Sequence, residues 1–302
     1  MQHVPSVSSN LQLKPVVSSF FDDQTNTFSY VVRDPNSTSC AIFDSVMDLD
    51  YASGTISFES ADKIIAFVRD EGLAAEWLIE THVHADHLSA GPYIQDHLGG
   101  KLAIGANIAA VQETFGKIFN EGTAFRRDGS QFDRLFCEGD RYTIGSLEAY
   151  VMETPGHTPA CTTHVIGDAA FVGDTLFMPD AGTARADFPG GDARALYRSI
   201  QRILSLPDQM RIFICHDYGP NGRAILNETT VIEERMHNAQ VGDGSSEDGF
   251  VAWREKRDAA LGMPRLIIPS IQVNMNAGQL PAPEENGKRF LKVPIGALSR
   301  VP

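Results

Sequence analysis

Thr81-His82-Val83-His84-Ala85-Asp86-His87 places four metal-competent side chains within six positions, directly after the short apolar run Trp77-Leu78-Ile79. Imidazole and carboxylate together suit zinc, iron or manganese, the choice resting on geometry. A single histidine reads as a capping or core hydrogen-bonder, but an HxHxDH cluster at a strand end has no such packing rationale. Three more candidates also end apolar strands: His157 in Thr154-Pro155-Gly156-His157-Thr158, Asp174 in Phe171-Val172-Gly173-Asp174-Thr175, and His216 in Ile214-Cys215-His216-Asp217. Asp44 closes a further strand, where a lone carboxylate suits a brace behind the ligands as well as a ligand, and it is kept as support. A metal centre needs ligands converging from several loops on a rigid scaffold, and strand ends supply that.

Outward from this cluster the chain alternates strand and helix. Residues 28–32 and 41–43 read as strands, and a helix capped by Ser60 carries Ile64, Phe67 and Val68 until Gly72 stops it. A helix over 108–119, strands over 147–152, 162–166 and 170–172, and a helix from Asp192 with Leu196, Ile200, Ile203 and Leu204 on one face follow. A strand over 211–214 and a helix over 229–237 complete the pattern, which is α/β. Residues 1–18 have no clean period and are expected to be a leader or disordered extension. The main domain then spans 19–262, and the Pro- and Asn-rich stretch 263–302 reads as an extended covering segment.

Composition narrows the function classes. Of 302 residues 42% are apolar and 9% aromatic, enough for a sizeable core. Lys and Arg number 25 against 39 Asp and Glu, a net charge of −14 that argues against a nucleic-acid partner. No apolar run reaches the roughly 18 residues of a membrane span, and no signal segment stands at the N-terminus. Cys40, Cys137, Cys161 and Cys215 are scattered without a CxxC pair, which points to a reducing cytoplasm. The acidic charge is compatible with a homo-oligomer but names no symmetry.

HVHADH, TPGHT, FVGDTLF and the late CHDY occur in the order and spacing of the metallo-β-lactamase superfamily, which the chain resembles from about residue 25 to 240. That resemblance implies an αβ/βα four-layer sandwich with Asp44, His82 to His87, His157, Asp174 and His216 at its site. Within the superfamily, the segments Asp174-Thr-Leu-Phe, Gly182-Thr-Ala-Arg185-Ala-Asp187-Phe188, Leu196-Tyr197 and Cys215-His216-Asp217-Tyr218 look most like the persulfide dioxygenases, or sulfur dioxygenases. The likeness implies one Fe(II) per chain on His82, His157 and Asp174, a two-histidine, one-carboxylate facial triad. His84, Asp86, His87, His216 and Asp44 would then be supporting residues or a vestigial second metal site. The implied reaction oxidises glutathione persulfide with O₂ and water to sulfite and glutathione, in sulfide detoxification.

The same chain keeps every ligand type for two zinc ions, as in glyoxalase II-like hydrolases of glutathione thioesters, and this is the alternative. A degenerate metal-binding module for protein interaction is a third class, against which the complete ligand set argues. An anionic tripeptide needs cationic clamps, and Arg185 and Arg223, in loops after ligands, are the candidates. The competing expectation for Arg223 is a surface pair with an acid such as Glu228. Tyr218 could donate its hydroxyl at the site, while Cys161 reads as a buried small hydrophobe.

Overall fold

The strands, in chain order, begin with β1 (Val16–Asp22), β2 (Thr27–Arg33), β3 (Ser39–Phe43), β4 (Val46–Asp50) and β5 (Thr55–Ser57). Then come β6 (Ala74–Ile79), β7 (Leu88–Ser89), β8 (Lys101–Gly105), β9 (Arg134–Phe136), β10 (Arg141–Ile144) and β11 (Leu147–Glu153). The last are β12 (Thr162–Ile166), β13 (Ala169–Phe171), β14 (Arg211–Phe213) and β15 (Glu228–Thr230). Along β2, Phe28, Tyr30 and Val32 face one core and Val31 another, so the strand is apolar on both faces and buried on both sides. β3 repeats this, with Ala41 and Phe43 on one face and Cys40 and Ile42 on the other.

The computed structural model, which describes residues 13–298, arranges these strands in two six-stranded sheets of order β1-β2-β3-β6-β8-β9 and β10-β11-β12-β13-β14-β15. A small sheet, β5-β4-β7, lies beside them. β3, β6, β8 and β9 run parallel, as do β13 and β14, and the other pairs in the two large sheets are antiparallel. Between the sheets Phe43, Phe171 and Phe213 stack at centroid spacings of 4.7 and 5.0 Å. Each such fully buried side chain contributes roughly 1.5–3 kcal/mol.

Helices cover the outer faces. α1 (Glu59–Asp70), α2 (Gly91–Leu98) and α3 (Ile108–Ile118) bury Ile64, Ile94 and Val111 against the first sheet. α4 (Ala193–Ile203), α5 (Val231–His237) and α6 (Glu247–Ala259) bury Leu196, Val231 and Phe250 against the second. The result is helix, sheet, sheet, helix, the four-layer sandwich expected. Asp192 caps α4 by accepting from the Ala195 amide at 2.8 Å. Gly156, at φ 142°, lets the chain pass against that first turn, where a Cβ would meet the Leu196 backbone at 2.3 Å.

Three expectations change. Ser60 lies inside α1 rather than at its cap, and its amide and hydroxyl bond to the Asp48 carboxylate of β4 at 3.0 and 2.8 Å. β1 starts at Val16, so the expected 1–18 extension overlaps a strand, and residues 1–12 lie outside those described. The segment after 262 is not only a cover: α7 (Ile267–Asn274) buries Ile267, Ile271 and Val273 in the core of the first helical layer, because apolar spacing there survives its prolines. Among the described residues no helix is long and apolar enough to cross a membrane.

Candidate metal centre

β6 delivers Glu80-Thr81-His82 to one edge of the sandwich, where Asp44 waits at the end of β3. Asp44 adopts φ 50°, a left-handed conformation that Asp tolerates better than most residues. Its carboxylate accepts from the Thr81 amide at 2.7 Å, the Thr81 hydroxyl at 2.9 Å and His84 Nε2 at 2.9 Å. These bonds tie Asp44 to the histidine loop from behind. The positive φ of Gly173, 53°, brings the next ligand turn in, since a Cβ there would strike the Thr81 hydroxyl at 2.5 Å.

Hydrogen bonds fix which nitrogen of each histidine is free. A backbone carbonyl can only accept, so His87 Nδ1 (Leu88 O, 3.2 Å), His157 Nδ1 (Arg185 O, 2.7 Å) and His216 Nδ1 (Asn26 O, 3.1 Å) must carry the hydrogen. Their Nε2 lone pairs are then available. Thr81 gives its hydroxyl hydrogen to Asp44, so its oxygen accepts from His82 Nδ1 at 3.0 Å and frees His82 Nε2. His84 is the reverse case: Nε2 faces Asp44, with Glu80 Oε2 at 3.3 Å, and Nδ1 is free.

The freed atoms converge. His82 Nε2, His84 Nδ1, His87 Nε2, His216 Nε2, Asp86 Oδ2 and Asp174 Oδ1 are all buried and lack a hydrogen-bond partner. Asp174 Oδ2 lies 3.7 Å from His82 Nε2 and 3.5 Å from His157 Nε2. Its Oδ1 lies 3.3 Å from His216 Nε2, which is 3.2 Å from Asp86 Oδ2. The donor atoms of His82, His157 and Asp174 fall within 4.8 Å of one another, as do those of His84, Asp86 and His87. Orphaned buried donors with these spacings fit divalent cations, because leaving them unpaired would cost about 1–3 kcal/mol each.

Protonation follows from the surroundings. Burial, then the neighbouring histidines, pushes His82 well below its ordinary value, and burial lowers His157 and brings His87 to about 4. These imidazoles are neutral at pH 7, the form in which a nitrogen lone pair can meet a cation. Burial also opposes charge on His84 and His216, yet Asp44 on the first and Asp86 with Asp174 on the second outweigh it and raise both. An arriving cation displaces those protons.

A cavity of about 730 Å³ opens on Asp86, His157, Asp174 and His216 and is walled by Phe177, Phe188, Tyr218 and Trp253. Tyr218 is largely exposed and stacks 6.1 Å from His216, and a phenol keeps its hydrogen at neutral pH, so it is a donor. Arg185 also lines the cavity, but its fork holds Asp187 at 2.6 and 2.9 Å. Arg223 is held by Asp217 and Asp180 rather than by the expected Glu228, which instead lies 4.0 Å from Arg211. The clamp role foreseen for Arg223 gives way to a structural one, since its guanidinium is engaged by two carboxylates. Cys161 is buried, its thiol accepting from the Thr158 amide at 3.3 Å.

Sequence reading missed Asn274, whose amide on α7 donates to His84 O at 2.9 Å and His87 O at 2.8 Å and accepts from the Ser89 amide at 2.8 Å. It also missed Glu80 behind His84; its place beside Thr81 was the available signal.

A sandwich of this kind with histidine and aspartate ligands at its strand ends defines a metal-dependent enzyme of the metallo-β-lactamase type. The metallo-beta-lactamase superfamily model matches residues 22–216, and the chain belongs to that superfamily. It is 55% identical over 292 residues to a probable metallo-hydrolase of Burkholderia pseudomallei, covering 93% of this chain and 99% of that one. It is 44% identical over 289 residues to glyoxylase B2 of Dictyostelium discoideum, covering 95% and 99%. Bovine mitochondrial persulfide dioxygenase ETHE1 is 29% identical over 261 residues, covering 85% and 87%. Among solved structures, ETHE1 from Myxococcus xanthus superposes with a TM-score of 0.69 at 26% identity, covering 87% of this chain and all of that one.

Proposed function

We propose that the chain is a two-metal hydrolase of thioesters carried on a glutathione-type thiol, in place of the iron dioxygenase expected from its motifs. The division of Asp174 carries this reading: one carboxylate oxygen faces His82 and His157, and the other faces His216. Free donor atoms on His84, Asp86 and His87 complete two ligand groups rather than one. The hydrolase and glyoxylase names of relatives at 55% and 44% identity support it.

Two ions of zinc type would be held by His82, His84, Asp86, His87, His157 and His216, with Asp174 between the two groups. Bound there, they supply Lewis acidity toward the thioester carbonyl and lower the pKa of water. The chain's own side chains orient and shield. Carbonyl-anchored imidazoles keep their lone pairs fixed, Tyr218 offers a hydroxyl hydrogen at the rim, and Phe177 and Phe188 exclude bulk water. Buried, unpaired Cys40, Cys161 and Cys215 support placement in a reducing cytoplasm.

One observation favours a second reading. His82, His157 and Asp174 form a self-contained triad, the set that would hold a single Fe(II) for oxidation of glutathione persulfide by O₂ and water to sulfite and glutathione. The bovine and Myxococcus likenesses support it. The test is metal quantitation of protein matured with both metals, followed by thioester hydrolysis by the zinc form and O₂ uptake by the iron form with glutathione persulfide. Two zinc ions per chain with thioester turnover support hydrolysis. One iron with O₂ uptake and no thioester turnover overturns it in favour of the dioxygenase.

A further inference from the structure

Three arginines line the cavity, and two are committed. Arg185 holds Asp187 and donates from Nη1 to the Gly262 carbonyl at 2.6 Å. Arg254 of α6 is buried, pairs with Asp258 and donates to the Thr183 carbonyl at 3.1 Å. The third, Arg257, is exposed in the last turn of α6, and its guanidinium has neither an ion-pair nor a hydrogen-bond partner among the described residues. Trp253, one turn earlier on the same helix face and half-buried, lines the cavity beside it.

We infer that Arg257, flanked by Trp253, anchors a carboxylate of the thiol carrier and so makes the enzyme selective for acidic over neutral thiol conjugates. This rests on the cavity being the site of a thiol conjugate, and it holds for either reaction, since both release the same thiol.

The electrostatic setting favours such an anchor. The molecule carries −14 overall, and a metal-loaded centre draws the sulfur end of the carrier, so its remote carboxylates need a cation of the protein away from the metals. Arg223 does not supply that cation, because Asp180 and Asp217 leave its cluster net negative. A guanidinium fork fits a carboxylate through two parallel hydrogen bonds, and the indole beside it partly desolvates the pair and strengthens it. The competing role for Arg257 is compensation of the carbonyl end of α6. That role acts on melting temperature and leaves ligand choice untouched.

The test is calorimetric titration of the zinc-loaded full chain with glutathione, and with glutathione whose two carboxylates are esterified. Wild-type protein is expected to bind the acid about tenfold to a hundredfold more tightly than the ester. Arg257→Ala and Arg257→Gln should both erase that preference by weakening the acid alone, while Arg257→Lys keeps part of it. The glutamine variant preserves most of the stem if the alanine variant folds poorly. The inference is overturned if wild type shows no preference for the acid, or if either neutral variant retains it. Absence of both thioester and persulfide turnover in a wild type that still prefers the acid would sink the proposed reactions and leave the Arg257 anchor standing.

Discussion

Arg223 binds Asp217 through Nη1 and Nη2 at 2.6 and 2.8 Å and Asp180 through Nε and Nη2, each at 2.7 Å. Asp217 is fully buried and directly follows His216. Without the guanidinium it keeps the Leu226 amide at 2.7 Å and, less closely, the Gly219 amide, but no counter-charge. Removing the cation should cost roughly 2–3 kcal/mol, less than for a wholly buried pair because Arg223 is partly solvated. Arg223→Ala is therefore expected to lower the melting temperature and weaken retention of the metal on the His216 side, with KM for the thiol substrate nearly unchanged. Melting curves, metal analysis and steady-state kinetics decide it; a raised KM at unchanged stability would restore the clamp role. The sequence showed an arginine in a loop after a ligand, which is what a clamp needs. It could not show that Asp180, 43 positions upstream, folds onto that arginine.

Among the elements, α7 is the one whose loss the metal loop should feel. Asn274 satisfies three buried backbone groups of the histidine loop, at His84, His87 and Ser89, and Asn274→Ala leaves all three without their side-chain partner. The expected loss is roughly 2–4 kcal/mol, below the sum of three separate bonds because they share one side chain. Faster metal release into a chelator should accompany it, and unchanged release kinetics would show that α7 only covers the core. On α5, burial raises the Glu234 carboxyl to about 8 against an ordinary value near 4.5. The folded chain thus binds this proton more tightly than the unfolded one. Stability from this group is fully present below about pH 4.5 and is lost as pH rises toward 8. Glu234→Gln should flatten that fall, so the variant gains on wild type in melting temperature between pH 5 and pH 8; parallel curves would refute the assignment. The strands that end at candidate ligands were legible because each places a histidine or aspartate just after an apolar run. α6 was not, because seven of its thirteen residues are charged and its inward positions include Arg254 and Asp258, which pair with each other.

At the scale of the molecule, the centre joins the two halves of the sandwich. Asp44, His82, His84, Asp86 and His87 belong to loops of the first sheet, whereas His157, Asp174 and His216 follow β11, β13 and β14 of the second. Elsewhere the sheets meet through their shared apolar core and hydrogen bonds such as Trp77 Nε1 to the Thr143 carbonyl at 2.9 Å. A cation bound by ligands from both sheets is bound by the folded state alone, since an unfolded chain scatters those donors. Such binding adds about 4 kcal/mol when free metal stands a thousandfold above its dissociation constant. For a chain of this size each kcal/mol moves the melting temperature by roughly 1.5–2 °C. Chelation at neutral pH is therefore expected to lower the melting temperature by roughly 6–8 °C, reversibly on adding metal back. The difference should shrink on acidification, because protons compete for the same imidazole nitrogens. His157→Ala and His216→Ala, each removing a second-sheet ligand, should reduce the metal-dependent increment while leaving the chelated melting temperature close to that of chelated wild type. Scanning calorimetry of loaded and chelated protein measures all of this. Coincident melting of the two forms at neutral pH would mean that the ligands do not bridge the sheets through a bound ion.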